Sequence, residues 1–234
     1  MLVIGHRGAA GHAPENTLVS VEKAIELGVD LVEIDVQPTH DGHLVVFHDK
    51  LLDRVTDGTG YLWDFDHDEL RARVRVGGEP IPLLAEVCEL LRGTEVRLMT
   101  EILVPGTVEA VLKTVAESLP DDQCAIASFH HDVVRDAAAE HPGVETIALV
   151  EGAPIDAVRM AREAGARSVG LGFESIRQDQ VTALREAAIP VYAWTVNDPR
   201  EIARAIRLGV DGIITDHPER VPRSAHPQHR DPRR

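Results

Sequence analysis

The chain has 234 residues, of which 44% are hydrophobic and only 3% aromatic, and its formal net charge is −15. This length allows one barrel-sized domain around a single core. The negative charge repels nucleic acid phosphates and anionic membrane surfaces, and the sequence has no run of about 20 apolar residues. We therefore expect no nucleic acid partner and no stable membrane insertion.

The two cysteines, Cys88 and Cys124, each lie in an apolar stretch. Two thiols do not make the framework of a secreted disulfide-rich protein, so we expect both to be reduced core residues. The first predicted strand begins at Leu2, which leaves no room for a signal peptide before it. These features predict a cytoplasmic protein, and they leave its oligomeric state open.

Short apolar runs rich in Val and Ile alternate with stretches of helical period, which is typical of βα units around a parallel sheet. A further segment, residues 49–82, is rich in Gly, Pro and charged residues, and we expect it to cross one face of the fold with a short helix near 66–73. The predicted strands cover residues 2–5, 31–36, 44–47, 97–102, 125–128, 146–150, 168–172, 191–196 and 212–215.

One of these nine strands is predicted to be antiparallel. The segment 38–43 is too short for a parallel crossover, and Asp41-Gly42 is a turn signal. Residues 44–47 should therefore form an antiparallel hairpin arm after the second strand, which leaves eight parallel strands. The predicted fold is α/β, a (β/α)8 TIM-type barrel over residues 1–222, followed by a disordered polar tail at 223–234.

The helices of the barrel show an apolar stripe at helical spacing, as after Gly106. Asn16 is predicted to be the N-cap of the first helix. Three glycines stand where left-handed C-caps are expected, namely Gly28, Gly165 and Gly209. Helices are predicted to begin near Asn16, His131, Pro154, Ile176 and Pro199.

Polar residues close several predicted strands, at the barrel end where catalytic groups are found. Glu33 and Asp35 are two residues apart, so both side chains leave the same face of their strand, and Glu101 closes a later parallel strand. Buried carboxylates require a cation, and three oxygen ligands favour Mg²⁺ or Ca²⁺ over zinc. The alternative is that Glu33 and Asp35 point outward and solvate the strand.

His6 and His48 also end strands, and two histidines can serve as general acid and base near neutral pH. Arg7 offers a fork suited to a phosphate, although a surface salt bridge is the usual role of a loop arginine. The helix that begins near Asn16 could bind an anion through its amides. Each of these residues also has an ordinary structural explanation, as a loop histidine, a salt bridge or a helix cap.

Together these residues resemble the glycerophosphodiester phosphodiesterase family, and the resemblance spans roughly residues 1–220. Any one motif is common, but the ordered set is specific. The matching motifs are His6-Arg7-Gly8, Pro14-Glu15-Asn16-Thr17, Glu33-Ile34-Asp35-Val36, Thr39 to Gly42, His48-Asp49, Thr100-Glu101-Ile102, Ser128-Phe129, Trp194-Thr195-Val196-Asn197 and Gly212 to Asp216.

The resemblance implies a barrel enzyme that hydrolyses small-molecule glycerophosphodiesters to an alcohol and glycerol 3-phosphate. It implies that His6 and His48 are the acid–base pair and that a divalent metal, Mg²⁺ or Ca²⁺, is held by carboxylates. The residues implied as metal ligands are Glu33, Asp35 and Glu101. Those implied or considered as substrate contacts are Arg7, Asn16, Phe129 and Trp194, and the last two aromatic residues could equally be barrel-mouth packing.

One departure from the family concerns Leu103, where members usually carry a lysine that helps to hold the phosphate. Two residues beyond Glu101 on a strand, Leu103 is expected to face the same way as Glu101. This departure leaves two alternatives open. One is a lysophospholipase D-like hydrolase, for which Leu62, Trp63 and Phe65 could provide an apolar patch, and the other is a non-catalytic relative that binds phosphodiesters.

Overall fold

The computed structural model describes residues 1–222, so the predicted disordered tail lies outside the described residues. Its strands are β1 (Leu2–Gly5), β2 (Leu31–Pro38), β3 (Leu44–Val46), β4 (Arg75–Val76), β5 (Glu79–Pro80), β6 (Arg97–Ile102), β7 (Cys124–Ser128), β8 (Glu145–Val150), β9 (Ser168–Gly172), β10 (Val191–Trp194) and β11 (Gly212–Thr215).

Eight of these strands form a closed parallel barrel. The order around the barrel is β1, β11, β10, β9, β8, β7, β6 and β2, and β1 pairs with β2 to close it, with Ile4 opposite Leu31. The strands are almost continuously buried, which is what a parallel sheet covered on its outer face requires. The predicted TIM-type barrel is confirmed.

The predicted hairpin arm is also present. β3 pairs with β2 in antiparallel register, with Val36 opposite Val46 and Pro38 opposite Leu44. The strand ends at Val46, one residue before the predicted end. Because this hairpin lies at the carboxyl end of β2, the chain reverses direction there before the segment 49–82 begins.

Helices lie between the barrel strands and pack against their outer face. The helices are α1 (Leu18–Glu26), α2 (His67–Arg73), α3 (Leu84–Leu91), α4 (Val108–Ala116), α5 (His131–Glu140), α6 (Ala157–Glu163), α7 (Gln178–Glu186) and α8 (Pro199–Leu208).

The start of α1 corrects one prediction. Thr17, not Asn16, is the N-cap, because its side-chain oxygen accepts a hydrogen bond from the backbone amide of Ser20. Asn16 instead takes a left-handed backbone conformation, with φ of +57°. This conformation turns the Asn16 side chain away from the helix, and the residue becomes available to the strand ends.

The barrel interior and the segment between β3 and α3 have separate apolar clusters. The barrel interior is filled by side chains from successive strands, among them Ile4, Leu31 and Met99. The segment between β3 and α3 packs around a separate apolar cluster, which includes Phe47 and Leu52. Within the described residues, none of the helices has the length and apolar character needed to cross a membrane.

Candidate active site

The polar residues predicted at the strand ends lie around one cavity of about 300 Å³ at the carboxyl end of the barrel. This is the end at which barrel enzymes carry their active sites. One wall is acidic and basic, and the other is apolar. The lining residues are His6, Arg7, Glu33, His48, Met99, Glu101, Phe129, Leu149, Glu151, Trp194, Thr195 and Ile214.

Three carboxylates converge at this cavity. β2 carries Glu33 and Asp35, and the parallel register places Asp35 opposite Glu101 of β6. One oxygen from each of the three residues lies within 4.8 Å of the others. Glu33 and Asp35 are only 3% and 1% exposed, so the alternative in which they solvate the outer face is wrong. We call these three residues the carboxylate triad.

The electrostatics of the carboxylate triad are those of a site for a cation. Burial and the neighbouring carboxylate of Asp35 raise the pKa of Glu101 to about 8. Burial and the same neighbour also raise the pKa of Glu33 well above its usual range. Like charges this close cannot all be ionised without a compensating positive charge, and a divalent cation on three oxygen ligands would supply it.

Arg7 and Asn16 hold the carboxylate triad in place. The backbone amide of Arg7 donates to Glu33 Oε2 at 2.8 Å, and the Arg7 Nε atom forms an ion pair with Asp35 Oδ2 at 3.1 Å. Asn16 donates from Nδ2 to the same Asp35 oxygen at 2.8 Å. Because Asn16 is 1% exposed and lies behind Asp35, the structure places it against the carboxylate and not on the cavity wall. Its expected substrate contact stays a prediction.

Each of the two cavity histidines is backed by a carboxylate. His6 Nδ1 lies 2.6 Å from Asp216 Oδ1, and His48 Nδ1 lies 2.6 Å from Asp49 Oδ1. A carboxylate at Nδ1 fixes the ring orientation and favours the proton on that nitrogen. Nε2 of each ring is then the nitrogen available to exchange a proton at the cavity.

The carboxylates behind the histidines are themselves held as anions. Burial alone would raise the pKa of Asp216, but its hydrogen bond with His6 lowers it below the usual range. Asn197 adds a hydrogen bond to Asp216 Oδ2 at 2.5 Å. In the same way, hydrogen bonds from Arg54 and His48 outweigh burial and lower the pKa of Asp49. Both carboxylates can therefore stabilise an imidazolium on their histidine.

A chain of ion pairs joins the two histidine regions. Arg7 donates to Glu15 at 2.6 Å, and Arg54 donates to Glu15 at 2.6 Å and to Asp49 at 2.5 Å. The chain thus runs from the carboxylate triad to the carboxylate behind His48. The motifs contained Asp216, Asn197, Glu15 and Asp49, but no role was predicted for any of them, and Arg54 lies outside every motif.

The apolar wall contains the two aromatic residues predicted there. Phe129 and Trp194 meet edge to face, with ring centroids 5.3 Å apart. Both line the cavity, and Phe129 remains 43% exposed although it touches this partner. An exposed aromatic edge beside a polar cavity can cover the carbon atoms of a small substrate, and it equally packs the barrel mouth.

Leu103 follows β6 and is not among the residues that line the cavity. Its backbone amide donates to the carbonyl oxygen of Val36 at 3.2 Å, so the pairing with β2 continues to this residue, and the expectation that Leu103 faces the same way as Glu101 stays a prediction. Leu103 lines a neighbouring groove that shares His48 with the cavity. The other residues of this groove are Gln37, Asp49, Lys50, Leu51, Asp53, Arg54, Trp63 and Val104.

Known proteins are similar to this chain in sequence. The model of the glycerophosphoryl diester phosphodiesterase family matches residues 6–220. A glycerophosphodiester phosphodiesterase from Caldanaerobacter subterraneus subsp. tengcongensis is 36% identical, over 93% of this chain and 95% of the relative.

Two solved structures are also similar. An Oleispira antarctica phosphodiesterase in complex with the product sn-glycerol-3-phosphate superposes with a TM-score of 0.87 at 27% identity, covering 94% of this chain and 95% of that chain. A glycerophosphodiester phosphodiesterase from Thermotoga maritima gives a TM-score of 0.81 at 28% identity, covering 94% and 96%. The chain therefore belongs to the glycerophosphoryl diester phosphodiesterase family.

Proposed function

We propose that this enzyme hydrolyses small glycerophosphodiesters to an alcohol and sn-glycerol 3-phosphate, with a divalent cation at the carboxylate triad. The observation that carries the proposal is that Glu33 and Glu101 of the triad line one cavity together with two histidines. Each of these histidines is backed by a carboxylate. The similarity to a phosphodiesterase whose structure holds sn-glycerol-3-phosphate supports the same product for this chain.

The residues of the triad fit Mg²⁺ or Ca²⁺. All three donors are hard oxygen atoms. Burial and the neighbouring carboxylate of Asp35 raise the pKa values of Glu33 and Glu101, and a divalent cation would neutralise this crowded negative charge. When bound, such a cation supplies positive charge to the phosphate oxygens as negative charge builds up on them. Glu33, Asp35 and Glu101 would hold it, and Asn16 would keep Asp35 oriented toward it.

Arg7 and the histidines supply the remaining chemistry. The guanidinium of Arg7 lies on the cavity wall, where it can contact a phosphate oxygen while Glu15 fixes its orientation. During the reaction an oxygen nucleophile bonds to phosphorus and the bond to the alcohol oxygen breaks. One histidine, through Nε2, takes the proton of the nucleophile, and the other gives a proton to the departing alcohol.

The apolar wall suits the glycerol half of the substrate. Phe129 and Trp194 can cover its carbon atoms, while the polar wall holds the phosphate. In this arrangement the departing alcohol would lie on the side of His48. The groove that contains Leu103 adjoins the cavity at this residue, so the alcohol half of the substrate can extend into it.

A second candidate function follows from this groove. Leu51 and Trp63 are 43% and 42% exposed, and both line it together with Leu103. Trp63 stacks on Tyr61 at a ring distance of 4.7 Å, which enlarges the exposed apolar surface. This surface favours a diester with an apolar group, as in lysophospholipase D-like hydrolysis. Leu62, expected in the patch, is buried, and Phe65 is half-buried and packs against the same cluster.

We also propose a domain organisation and a cellular compartment for this chain. Residues 1–222 would act as one catalytic domain, because the first and last barrel strands pair directly. The cytoplasm would be its compartment, which the two free and buried thiols of Cys88 and Cys124 support.

To test the proposal, the purified protein is incubated with a panel of glycerophosphodiesters and a lysophospholipid in the presence of Mg²⁺, Ca²⁺ or a chelator. The product sn-glycerol 3-phosphate is then measured. We expect product with at least one metal and none with excess chelator. His48→Ala should lower turnover at least about a hundredfold. His40→Ala is the matched control, because His40 is an exposed histidine that also pairs with an aspartate. Full activity in excess chelator would refute the metal assignment.

A further inference from the structure

A second group of ligand-bearing side chains lies outside the catalytic cavity. It consists of His12, His217 and Glu219, and one ligand atom from each lies within 4.8 Å of the others. His12 belongs to the loop between β1 and α1, whereas His217 and Glu219 directly follow β11. We call these residues the histidine cluster.

The two histidines of the cluster lie close to different oxygen atoms of the Glu219 carboxylate. His12 Nε2 lies 2.8 Å from Glu219 Oε2, and His217 Nδ1 lies 3.6 Å from Glu219 Oε1. Their rings are 5.7 Å apart and meet edge to face at 74°. Two imidazole nitrogens and a carboxylate thus surround one small region of space.

His217 carries an unsatisfied nitrogen at this place. Its Nδ1 atom is buried and has no hydrogen-bond partner among the described residues. A buried polar atom without a partner is costly, and in a native protein it calls for an explanation such as an ion. The His217 ring also fits tightly, because a Cβ at Gly11 would overlap it.

We propose that the histidine cluster binds a zinc ion. Zinc takes imidazole nitrogen and carboxylate oxygen at about 2.0–2.2 Å in tetrahedral geometry, which sets neighbouring ligand atoms about 3.4 Å apart. The two nitrogen–oxygen separations, 2.8 and 3.6 Å, lie on either side of this value, so small side-chain shifts suffice. Three protein ligands leave the fourth position to water.

The donor set separates the histidine cluster from the carboxylate triad. The triad offers oxygen atoms only, which suits Mg²⁺ or Ca²⁺, whereas two imidazoles and a single carboxylate favour zinc. The two sites can therefore hold different metals in the same molecule. An excess of Mg²⁺ would occupy the triad without competing for the imidazoles.

A zinc ion here would connect the two chain segments that hold His6. The backbone amide of Gly11 already donates to the carbonyl oxygen of Asp216 at 3.0 Å, and the Asp216 side chain holds the His6 ring. The ion would link the same two segments through His12 and His217, and His217 is the residue that follows Asp216 in sequence. We expect zinc to stabilise the folded chain, since it binds a site that the unfolded chain lacks.

The experiment titrates Co²⁺, a spectroscopic substitute for zinc, into the full chain saturated with Mg²⁺. We expect one equivalent to give the intense visible absorption of tetrahedral Co²⁺, zinc to remove it, and zinc to raise the Tm. His217→Ala and His12→Ala should each weaken binding at least about tenfold. His12 is the more exposed of the two, so His12→Ala keeps the test open if His217→Ala does not fold.

Three control variants should retain the signal. His43→Ala is a control because the His43 ring also lies near another histidine ring, that of His67, with the centroids 5.0 Å apart. Unlike the histidines of the cluster, His43 and His67 each pair with a different carboxylate. Glu101→Gln alters the carboxylate triad, and His226→Ala/His229→Ala removes two histidines farther along the sequence. The proposal fails if Co²⁺ gives only weak octahedral absorption, or if His12→Ala and His217→Ala bind as the wild type does.

Discussion

The two ends of the barrel both bury glutamate, and they treat it in opposite ways. At the amino end, Glu145 of β8 accepts hydrogen bonds from Arg97 at 2.5 Å, Ser168 at 2.6 Å and Tyr192 at 2.8 Å. These bonds outweigh burial and lower the pKa of Glu145. At the carboxyl end, the carboxylates of Glu33 and Glu101 lie close to Asp35, and their pKa values are raised.

The comparison separates a site built for stability from a site built for a ligand. The amino end supplies donors from the protein itself, so its carboxylate is complete without any added ion. The carboxyl end gathers negative charge that Arg7 compensates only in part, and we propose that a cation completes its charge balance. Substitutions at the two ends should therefore change different measurements.

The largest effect is expected at the two histidines that we propose as general acid and base. His6→Ala and His48→Ala should each lower kcat by about 10²–10⁴-fold, because general acid or base catalysis is worth that much. The Tm should change little, since both side chains are partly exposed and line the cavity. Steady-state kinetics and thermal melts of the same preparations give the two values. A turnover within tenfold of the wild type in both variants would remove the pair from the mechanism.

The carboxylate triad should show the next largest effect. Glu101→Gln removes one anionic ligand, and we expect the affinity for Mg²⁺ or Ca²⁺ to fall at least about tenfold. Loss of a residue that only supports a metal ligand already costs about 10–100-fold in metal affinity. Glu151→Gln is the matched control, because Glu151 lines the same cavity outside the triad. Calorimetric titration of metal into each variant measures the difference. Equal losses in the two variants would mean that charge near the cavity, and not ligation, sets the affinity.

The amino end should respond in stability and not in turnover. Glu145→Gln replaces the charge that accepts three hydrogen bonds, a loss of about 1.5–3 kcal/mol. At about 2–4 °C per kcal/mol, the Tm should fall by roughly 3–12 °C, with kcat unchanged.

The pH dependence of this loss has a definite sign. The pKa of Glu145 is lower in the folded chain than its unfolded value, so its contribution is complete above about pH 4.5 and is lost as the pH falls through the folded pKa. The Tm difference between wild type and Glu145→Gln should therefore shrink on acidification below pH 4.5. A difference that grows in acid would contradict this charge assignment.

The smallest effect is expected at Leu103. Because Leu103 lies on the groove and not on the cavity wall, Leu103→Lys should leave kcat/KM for diesters with a small polar alcohol within about threefold of the wild type. The value for a diester with an apolar alcohol should fall, because a charge would replace apolar surface along its path. A gain of tenfold or more on the small substrates would show instead that the added ammonium reaches the phosphate.

The barrel could be predicted from the sequence because its signals are local. Alternating βα patterns and the short turn at Asp41-Gly42 determine the eight parallel strands and the extra arm. Helix α3 was not predicted, although Leu84, Val87 and Leu91 recur at helical spacing, because the irregular segment before it obscures its start.

The site residues that lie on or directly after a strand could be predicted from the sequence. The contacts between residues far apart in the chain could not. His6 and Glu33 follow or lie on strands, but the partnership of His6 with Asp216 joins residues 210 positions apart. Asp216 directly follows β11, so its place at a strand end was a usable signal. The cap assigned to Asn16 was wrong because a residue type suited to capping was equally suited to hold Asp35.

The segment between β3 and α3 has a consequence for how such an enzyme can change over evolution. Its apolar side chains, including Leu52, Leu62 and Leu70, pack in a cluster of their own, whereas the barrel interior is filled by strand residues. The same segment supplies Trp63 and Leu51 to the groove beside His48. Mutation of its groove residues can therefore reshape the surface that we propose meets the departing alcohol, while the side chains that fill the barrel interior keep their neighbours. New substrate preferences can arise in this segment without a change in the strand-end residues that carry the proposed chemistry.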